Sequence, residues 1–232
     1  MSFQFKHFYL KHHPQVFKFG TDAALLATWA NIENHQNILE IGSGSGVITL
    51  MMAQRVPKSH FFGIDISKEA VALATENLNA YPTPISAHFI HSSLQDYKTE
   101  LKFNHIVSNP PFFENSTKSP SALKNTTRHT DSLLLEELIR HSKRLLAPDG
   151  QIDLVYPVRY LNDLKAICTQ NQLFINKITY TRSTVRKPIK RVLVSITNTP
   201  SIVLEDELII NGNSKGYSET VFQMLQPFLL KL

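Results

Sequence analysis

Apolar positions in this chain fall into two patterns, short unbroken runs and stretches with helical spacing, and the two alternate. Asn37 to Ile41 is an apolar run ending at glycines, and Val47 to Val56 then reads as an amphipathic helix stopped by Pro57. Phe61-Phe62-Gly63-Ile64 is a second strand ended by Asp65, and Ser67 caps a helix from Lys68 to Ala80. Ile85 to Ile90 and Phe103 to Ser108 give a third and a fourth strand. Leu133 to Leu146 predicts a helix stopped by Pro148 and Gly150, Gln151 to Tyr156 a fifth strand, and Tyr160 to Gln170 another helix. Residues 113–131, rich in Ser, Thr and Asn, read as a long loop. Strand, helix and strand at this spacing imply right-handed crossovers and an α/β fold with a mostly parallel sheet. The end of the chain differs: Phe174 to Thr181 and Val192 to Thr197 have no helix between them and should pair antiparallel at one end of the sheet. Residues 208–211 are short enough for a small extra strand, and Ser218 to Leu229 for a final helix. No repeat or linker interrupts residues 1–232, so one domain is expected, with 1–36 ahead of the sheet, 37–197 building it and 198–232 extending it.

Composition narrows the class without naming a function. A chain of 232 residues with 42% hydrophobic and 19% charged residues can bury a substantial core as an ordinary globular domain. No segment reaches the apolar length of a membrane span, and the N-terminus lacks the apolar core of a secretory signal. The one cysteine, Cys168, cannot form an intrachain disulfide, which suits a reducing, cytoplasmic setting; it reads as a small core residue on a helix. His12 and His13 have no further ligand at metal-site spacing, so they read as surface residues and no metal is expected. Trp29 reads as core packing. The net charge of +5 leans toward an anionic partner, and its placement says more than its size. Arg182, Arg186, Lys187, Lys190 and Arg191 gather in one loop, while Lys118, Lys124, Arg128 and His129 follow the fourth strand. Either cluster alone fits a solvated loop; both on one rim would favour a polyphosphate.

The candidate chemistry begins where the fourth strand ends, at Asn109-Pro110-Pro111-Phe112. The amide oxygen of Asn109 and the carbonyl of Pro110 can both accept hydrogens from a planar amino group, and Phe112, with Phe113 beside it, offers a stacking face. Prolines mark turns generally, so the motif gains weight from its position downstream of Leu39-Glu40-Ile41-Gly42-Ser43-Gly44-Ser45-Gly46. Glycine is needed where backbone passes close to a ligand or takes positive φ, and the turn opens into a helix N-terminus. The spacing is not the dinucleotide pattern G-x-G-x-x-G. Asp65, at the tip of the second strand, is placed to accept from both hydroxyls of a ribose, with Ile66 next to it. Its other reading is a turn or helix-cap aspartate.

Together these features resemble class I S-adenosylmethionine-dependent methyltransferases, in particular the amino-methyltransferases that carry Asn-Pro-Pro-aromatic. The resemblance implies a Rossmann-like, seven-stranded sheet with the last strand antiparallel and helices on both faces. A narrower likeness rests on Phe3-Gln4-Phe5-Lys6 and Lys18-Phe19-Gly20-Thr21-Asp22-Ala23-Ala24-Leu25-Leu26-Ala27-Thr28-Trp29-Ala30, with Arg191-Val192-Leu193 and Tyr217-Ser218-Glu219 later in the chain. These segments resemble the bacterial tRNA1(Val) (adenine-37-N6)-methyltransferase family over essentially the whole chain. The likeness implies S-adenosylmethionine as donor and a tRNA as partner, with no membrane and no obligate protein partner evident. It also implies that Lys18, Gly20, Thr21 and Asp22 close over the methionine end of the donor. Thr21-Asp22 also reads as an N-cap leading into a helix from Ala23 to Ala30. Glu40 would meet the donor's ammonium, directly or through water; its other reading is a solvent-facing carboxylate at a strand end. Relatives often place Asp after the third strand to contact the donor's adenine; here Ser92-Ser93-Leu94 stands there, so Ser93 or the Leu94 backbone amide must serve. His12-His13-Pro14-Gln15-Val16 departs from the family's usual Asp-Arg-Cys-Ala.

Other readings stay open at this level. Release-factor glutamine N5-methyltransferases grip a flat amide with the same Asn-Pro-Pro but carry a longer helical N-terminal domain, and ribosomal RNA guanine-N2 methyltransferases share Asn-Pro-Pro-Phe without the Thr-Asp segment. A non-catalytic RNA-binding factor on the same scaffold is the alternative outside enzymes. A nicotinamide oxidoreductase is disfavoured by the glycine spacing.

Overall fold

A computed structural model describes residues 2–16, 18–110, 135–212 and 216–230. The chain opens with a hairpin of β1 (Ser2–Gln4) and β2 (Tyr9–Lys11), paired antiparallel and absent from the sequence reading. Next come α1 (Thr21–Trp29), β3 (Asn37–Ile41), α2 (Val47–Arg55), β4 (His60–Asp65), α3 (Lys68–Asn79), β5 (Ser86–His91) and β6 (Phe103–Ser108). After helical residues 135–145 (α4) follow β7 (Leu146–Pro157), a 3-10 turn (Val158–Tyr160), α5 (Leu161–Gln170), β8 (Phe174–Arg182), β9 (Arg191–Thr197), β10 (Leu204–Ile209) and α6 (Glu219–Leu225).

The main sheet has eight strands in the order β10-β8-β9-β7-β6-β3-β4-β5. Only β9 runs against its neighbours, pairing antiparallel with β7 and β8, while β10 lies parallel to β8. The expected antiparallel pair of β8 and β9 is therefore present, and β10 adds one strand beyond the expected seven. That strand starts at Leu204, earlier than the short run at 208–211, because charge and not apolar alternation specifies it. Its Asp206 approaches Lys177 at 3.8 Å, Glu205 accepts from the Tyr180 hydroxyl at 3.2 Å, and Glu207 pairs with Arg182. Exposed contacts of this kind contribute about 1 kcal/mol or less each, enough to choose a register on an edge. Pro148-Asp149-Gly150, read as a helix stop, lies within β7; the register jumps there, with Phe103 opposite Leu146 but His105 opposite Gln151.

Alternation along the central strands splits the core into two layers. Val107, Val155 and Leu193 face α1, α2 and α6 together with Phe5 and Leu10 of the hairpin, whereas Ile106, Leu154 and Val194 face α4 and α5. Both chain ends thus feed one layer, and Lys6 donates its amide to the Phe228 carbonyl at 2.7 Å. Trp29 packs against β8, donating its indole N–H to Thr179 Oγ1 at 2.9 Å. Cys168 is buried and its thiol is pushed up to about 12 by burial, which keeps it protonated. A pair that sequence reasoning missed, His105 Nε2 and Asp153 Oδ2 at 2.7 Å, lies fully buried across β6 and β7. No helix among the described residues is long and apolar enough to cross a membrane.

Candidate active site

Four parallel strands end side by side, and their order brings the candidate residues together. The chain winds outward from β3 to β4 and β5, then returns to the other side of β3 with β6, so the crevice between β3 and β6 is the topological switch point of the sheet. Ligands of open α/β sheets bind in that place, beyond the carboxyl ends of the strands. Ile41 is in register with Ser108 and with Ile64, and Ser108 Oγ donates to the Ile41 carbonyl at 2.9 Å. One residue further along each strand, Asn109 follows β6 and Gly42 follows β3, while Asp65 ends β4 in register with His91 of β5. Asn109, the glycine turn, Asp65 and His91 therefore form one row, with Ser92 directly after it.

The turn is held by the backbone and side chains around it. Gly42, Gly44 and Gly46 have φ of 74°, 52° and 77°, the left-handed region that glycine adopts without strain. The Gly42 and Ser43 amides donate to the Ile64 carbonyl at 2.9 and 3.1 Å, and the Gly44 amide donates to Asp65 Oδ2 at 2.9 Å. Asp65 Oδ1 accepts from the Ser67 amide at 2.9 Å, so the carboxylate braces both the turn and the start of α3. A Cβ at Gly42 or Gly44 would point into open space, which leaves bare backbone facing the crevice. At Gly46, besides the positive φ, a Cβ would lie 2.8 Å from Phe89 Cζ and 3.2 Å from Ala74 Cβ, so its missing side chain also makes room for packing. A Cβ on Gly63 would collide with the same Phe89 ring. Phe89, which sequence reasoning passed over, thus fills the space that two glycines leave beneath the turn.

Glu40 lies under the turn, 2% exposed. Its Oε2 accepts from the Thr49 hydroxyl at 2.6 Å and the Thr49 amide at 3.0 Å, stapling α2 to β3. Burial raises its pKa from 4.5 to about 8, against the opposing hydrogen bonds from Thr49. The folded protein holds this proton up to about pH 8, whereas the unfolded chain loses it near 4.5. Stability is therefore greatest below that window and falls as pH rises through it, by on the order of 5 kcal/mol. Glu40→Gln keeps an acceptor for Thr49, so its urea midpoint should be flat from pH 5 to 8.5 where the parent's declines. A parallel decline in the variant would assign the slope to other groups.

The N-terminal segment meets the late basic strand at the same end of the sheet. Helix α1 begins at Thr21 with Gly20 as its N-cap, and no side chain caps it. The capping role read for Thr21-Asp22 is therefore not found; Asp22 instead pairs with Arg191 Nε at 3.4 Å. Arg182 is likewise engaged, donating from Nη2 to Glu207 at 2.7 Å. Two of the five basic residues in the late cluster read as suiting an anionic partner thus face carboxylates within the fold, while Arg186, Lys187 and Lys190 lie in the β8–β9 connection. A cleft of about 310 Å³ is lined by Thr21 of α1, Ser183 after β8, and Ile210, Asn211, Gly216 and Tyr217 after β10. Lys18 and Gly20, just ahead of Thr21 in the chain, are exposed.

Next to Asp65, Ile66 is 77% exposed, a bare apolar side chain at a strand end. The Ser93 hydroxyl donates to Asp96 Oδ2 at 2.7 Å and accepts from the Asp96 amide, capping a local turn, and the Leu94 side chain is buried in the core. Pro110 follows Asn109 and is half-buried. Pro111, Phe112, Phe113, Lys118, Lys124, Arg128 and His129 lie outside the described residues. Of the histidine pair, His12 stacks on Phe19 at 5.9 Å, and His13 accepts from the Gln15 amide at 3.3 Å.

Residues 8–170 match the family described as the methyltransferase small domain. The tRNA1(Val) (adenine(37)-N6)-methyltransferase of Pseudoalteromonas translucida is 33% identical over 232 residues, covering 100% of this chain and 99% of the relative. Its namesake from Parabacteroides distasonis is 36% identical over 233 residues, covering 99% and 98%. The chain belongs to the tRNA1(Val) (adenine(37)-N6)-methyltransferase family. In fold it is similar to the crystal structure of a predicted O-methyltransferase from Agrobacterium tumefaciens, with a TM-score of 0.70 at 19% identity over 89% of this chain and 96% of that one.

Membership makes the chain a methyltransferase that uses S-adenosylmethionine, and the row of strand ends suits such a donor. The open faces of Gly42 and Gly44 leave a cradle that side chains would have filled, with the Asp65 carboxylate and the exposed Ile66 beside it. The residues present therefore fit the group.

Proposed function

We propose that this enzyme methylates the N6 nitrogen of adenine 37 in the anticodon loop of tRNA1(Val), in the cytoplasm. The observation that carries the reading is the Ile41–Ser108 register, which sets Asn109 and Pro110 beside the cradle. The names of the full-length relatives supply the choice of base and RNA. S-adenosylmethionine, when bound, supplies an electrophilic methyl group on a sulfonium, so no metal is required. Gly42 and Gly44 would hold it by their bare backbone, Asp65 by its ribose, Ile66 by stacking, and Ser93 or the Leu94 amide at its adenine. Glu40, with Lys18, Gly20, Thr21 and Asp22, would enclose its methionine end.

The N6 nitrogen of adenine is a poor nucleophile because its lone pair is delocalised into the ring. Asn109 Oδ1 and the Pro110 carbonyl would each accept one of its hydrogens and turn the lone pair out of the ring plane toward the cradle. Phe112, with Pro111 and Phe113, would stack on the base, a contact worth about 1–3 kcal/mol. Alignment supplies most of the acceleration. No strong base is needed, because the nitrogen becomes acidic once alkylated and its proton then leaves. Unstacking the base is cheapest in a single-stranded loop, which suits the anticodon loop.

The test is methyl transfer to tRNA from cells lacking this protein, followed by nucleoside mass spectrometry. N6-methyladenosine at one position of one valine isoacceptor is expected; methylation of guanine N2, or of a glutamine in a release factor, would replace this reading. Removing the charges of Arg186, Lys187 and Lys190 together should raise the KM for tRNA about tenfold or more. It should also flatten the log–log salt dependence by about 2–3, since each phosphate contact contributes roughly 0.7–0.9 to that slope. An unchanged slope would make this loop a solvated surface.

A further inference from the structure

Asn77 is 1% exposed and lies near the end of α3, at a position whose helical neighbours Ala70, Leu73 and Ala74 are all buried. A polar amide on such a face needs partners, and Asn77 finds them in two segments far apart in sequence. Its Oδ1 accepts from the Lys11 amide at 2.8 Å, and its Nδ2 donates to the Lys11 carbonyl at 3.3 Å, so it pairs with β2 as another strand would. The same Nδ2 donates to the Ser45 carbonyl at 2.9 Å, inside the glycine turn. The Gly42, Ser43 and Gly44 amides are held by Ile64 and Asp65 from β4, whereas this Ser45 carbonyl is held from α3. One buried side chain thus joins the N-terminal hairpin to the turn, and each group it hydrogen-bonds is backbone, so these bonds do not depend on which side chains occupy positions 11 and 45.

We propose that Asn77 is a positioning residue that makes the shape of the donor cradle depend on docking of the N-terminal hairpin. The hairpin leads within a few residues to Lys18–Asp22, so the same link sets where that segment meets the cradle. Coupling of this kind is reciprocal: docking favours donor binding, and donor binding steadies the hairpin. The inference rests on reading the glycine turn as the donor site.

Three substitutions separate this role from simple packing. Asn77→Ala removes all three bonds. Asn77→Asp keeps the shape and the acceptor for the Lys11 amide, but sets a carboxylate oxygen against the Ser45 and Lys11 carbonyls. Lys11→Ala removes only the exposed Lys11–Glu76 pair at 2.6 Å and leaves the backbone bonds in place. Calorimetry with S-adenosylhomocysteine should show Kd raised at least tenfold in both Asn77 variants, about 1.4 kcal/mol, and changed less than twofold in Lys11→Ala. At saturating donor, kcat should stay within about threefold, so the defect appears in the KM for S-adenosylmethionine. In the parent, S-adenosylhomocysteine should slow hydrogen exchange in β2, and in Asn77→Asp it should not. Should Asn77→Ala fail to fold, Asn77→Asp carries the test. Parent-like donor affinity in Asn77→Asp, or a lowered Tm in Asn77→Ala with Kd unchanged, overturns the proposal and leaves the donor site standing. Failure of the parent protein itself to bind S-adenosylhomocysteine overturns both.

Discussion

Replacing Asn109 by alanine is expected to lower kcat by about a thousandfold or more while leaving donor affinity within a few-fold. Asn109 follows directly on β6, whose Ser108 is hydrogen-bonded to the last residue of β3, so its backbone position is set by the centre of the sheet. Removing the amide leaves that position intact and takes away one of the two acceptors that would orient the substrate amino group. Loss of a single preorganised polar contact at a reacting centre typically costs 10²–10³ in rate, and misalignment of the nucleophile adds to it. Single-turnover kinetics with labelled donor, alongside calorimetry, measure the two quantities separately. A Kd raised as much as kcat falls would make Asn109 a donor or structural residue and remove the clamp from the mechanism.

Asp65→Ala should weaken donor binding about a hundredfold. The carboxylate accepts the Gly44 and Ser67 amides, one on each oxygen, and each oxygen retains a further lone pair for a ribose hydroxyl. Hydrogen bonds to a charged acceptor contribute about 1.5–3 kcal/mol each, and alanine removes those that shape the turn together with those that would hold the ligand. Titration with S-adenosylhomocysteine gives the affinity, and thermal melting reports the share owed to α3 losing its brace at Ser67. Asp65→Asn, which keeps one acceptor, should fall between the two. Donor affinity unchanged in Asp65→Ala would remove Asp65 from the site. The two readings of this residue, ribose acceptor and turn aspartate, are compatible, because a carboxylate at a strand tip has lone pairs enough for both.

Much of this site was legible because its parts are local. A glycine at positive φ, a strand ended by Asp, and Asn before two prolines are each specified within a few residues, and βαβ spacing alone sets the strand ends in one row. Asn77 carried a signal that went unread: an amide at the i+7 position of an apolar helix face whose other members are Ala70, Leu73 and Ala74. Phe89 carried none, since a ring filling the space of Gly46 and Gly63 is visible only once three strands are side by side. The engagement of Arg182 and Arg191 was equally hidden, because Glu207 and Asp22 lie 25 or more positions away along the chain and reach them only through the pairing of β10 with β8 and the packing of α1 beside β9.

The sequence by itself determined the class of fold, the succession of strands and helices from β3 to β9, and the placing of the glycine turn, Asp65 and Asn109 at strand ends, since backbone preference and apolar periodicity act over short separations. Tertiary structure alone decided which charges face carboxylates within the fold, that Glu40 is buried against Thr49 and keeps its proton, and that one asparagine holds both the hairpin and the glycine turn. Those outcomes depend on burial and on contacts between residues distant in the chain, and neither quantity exists until the sheet has closed over its two layers of helices.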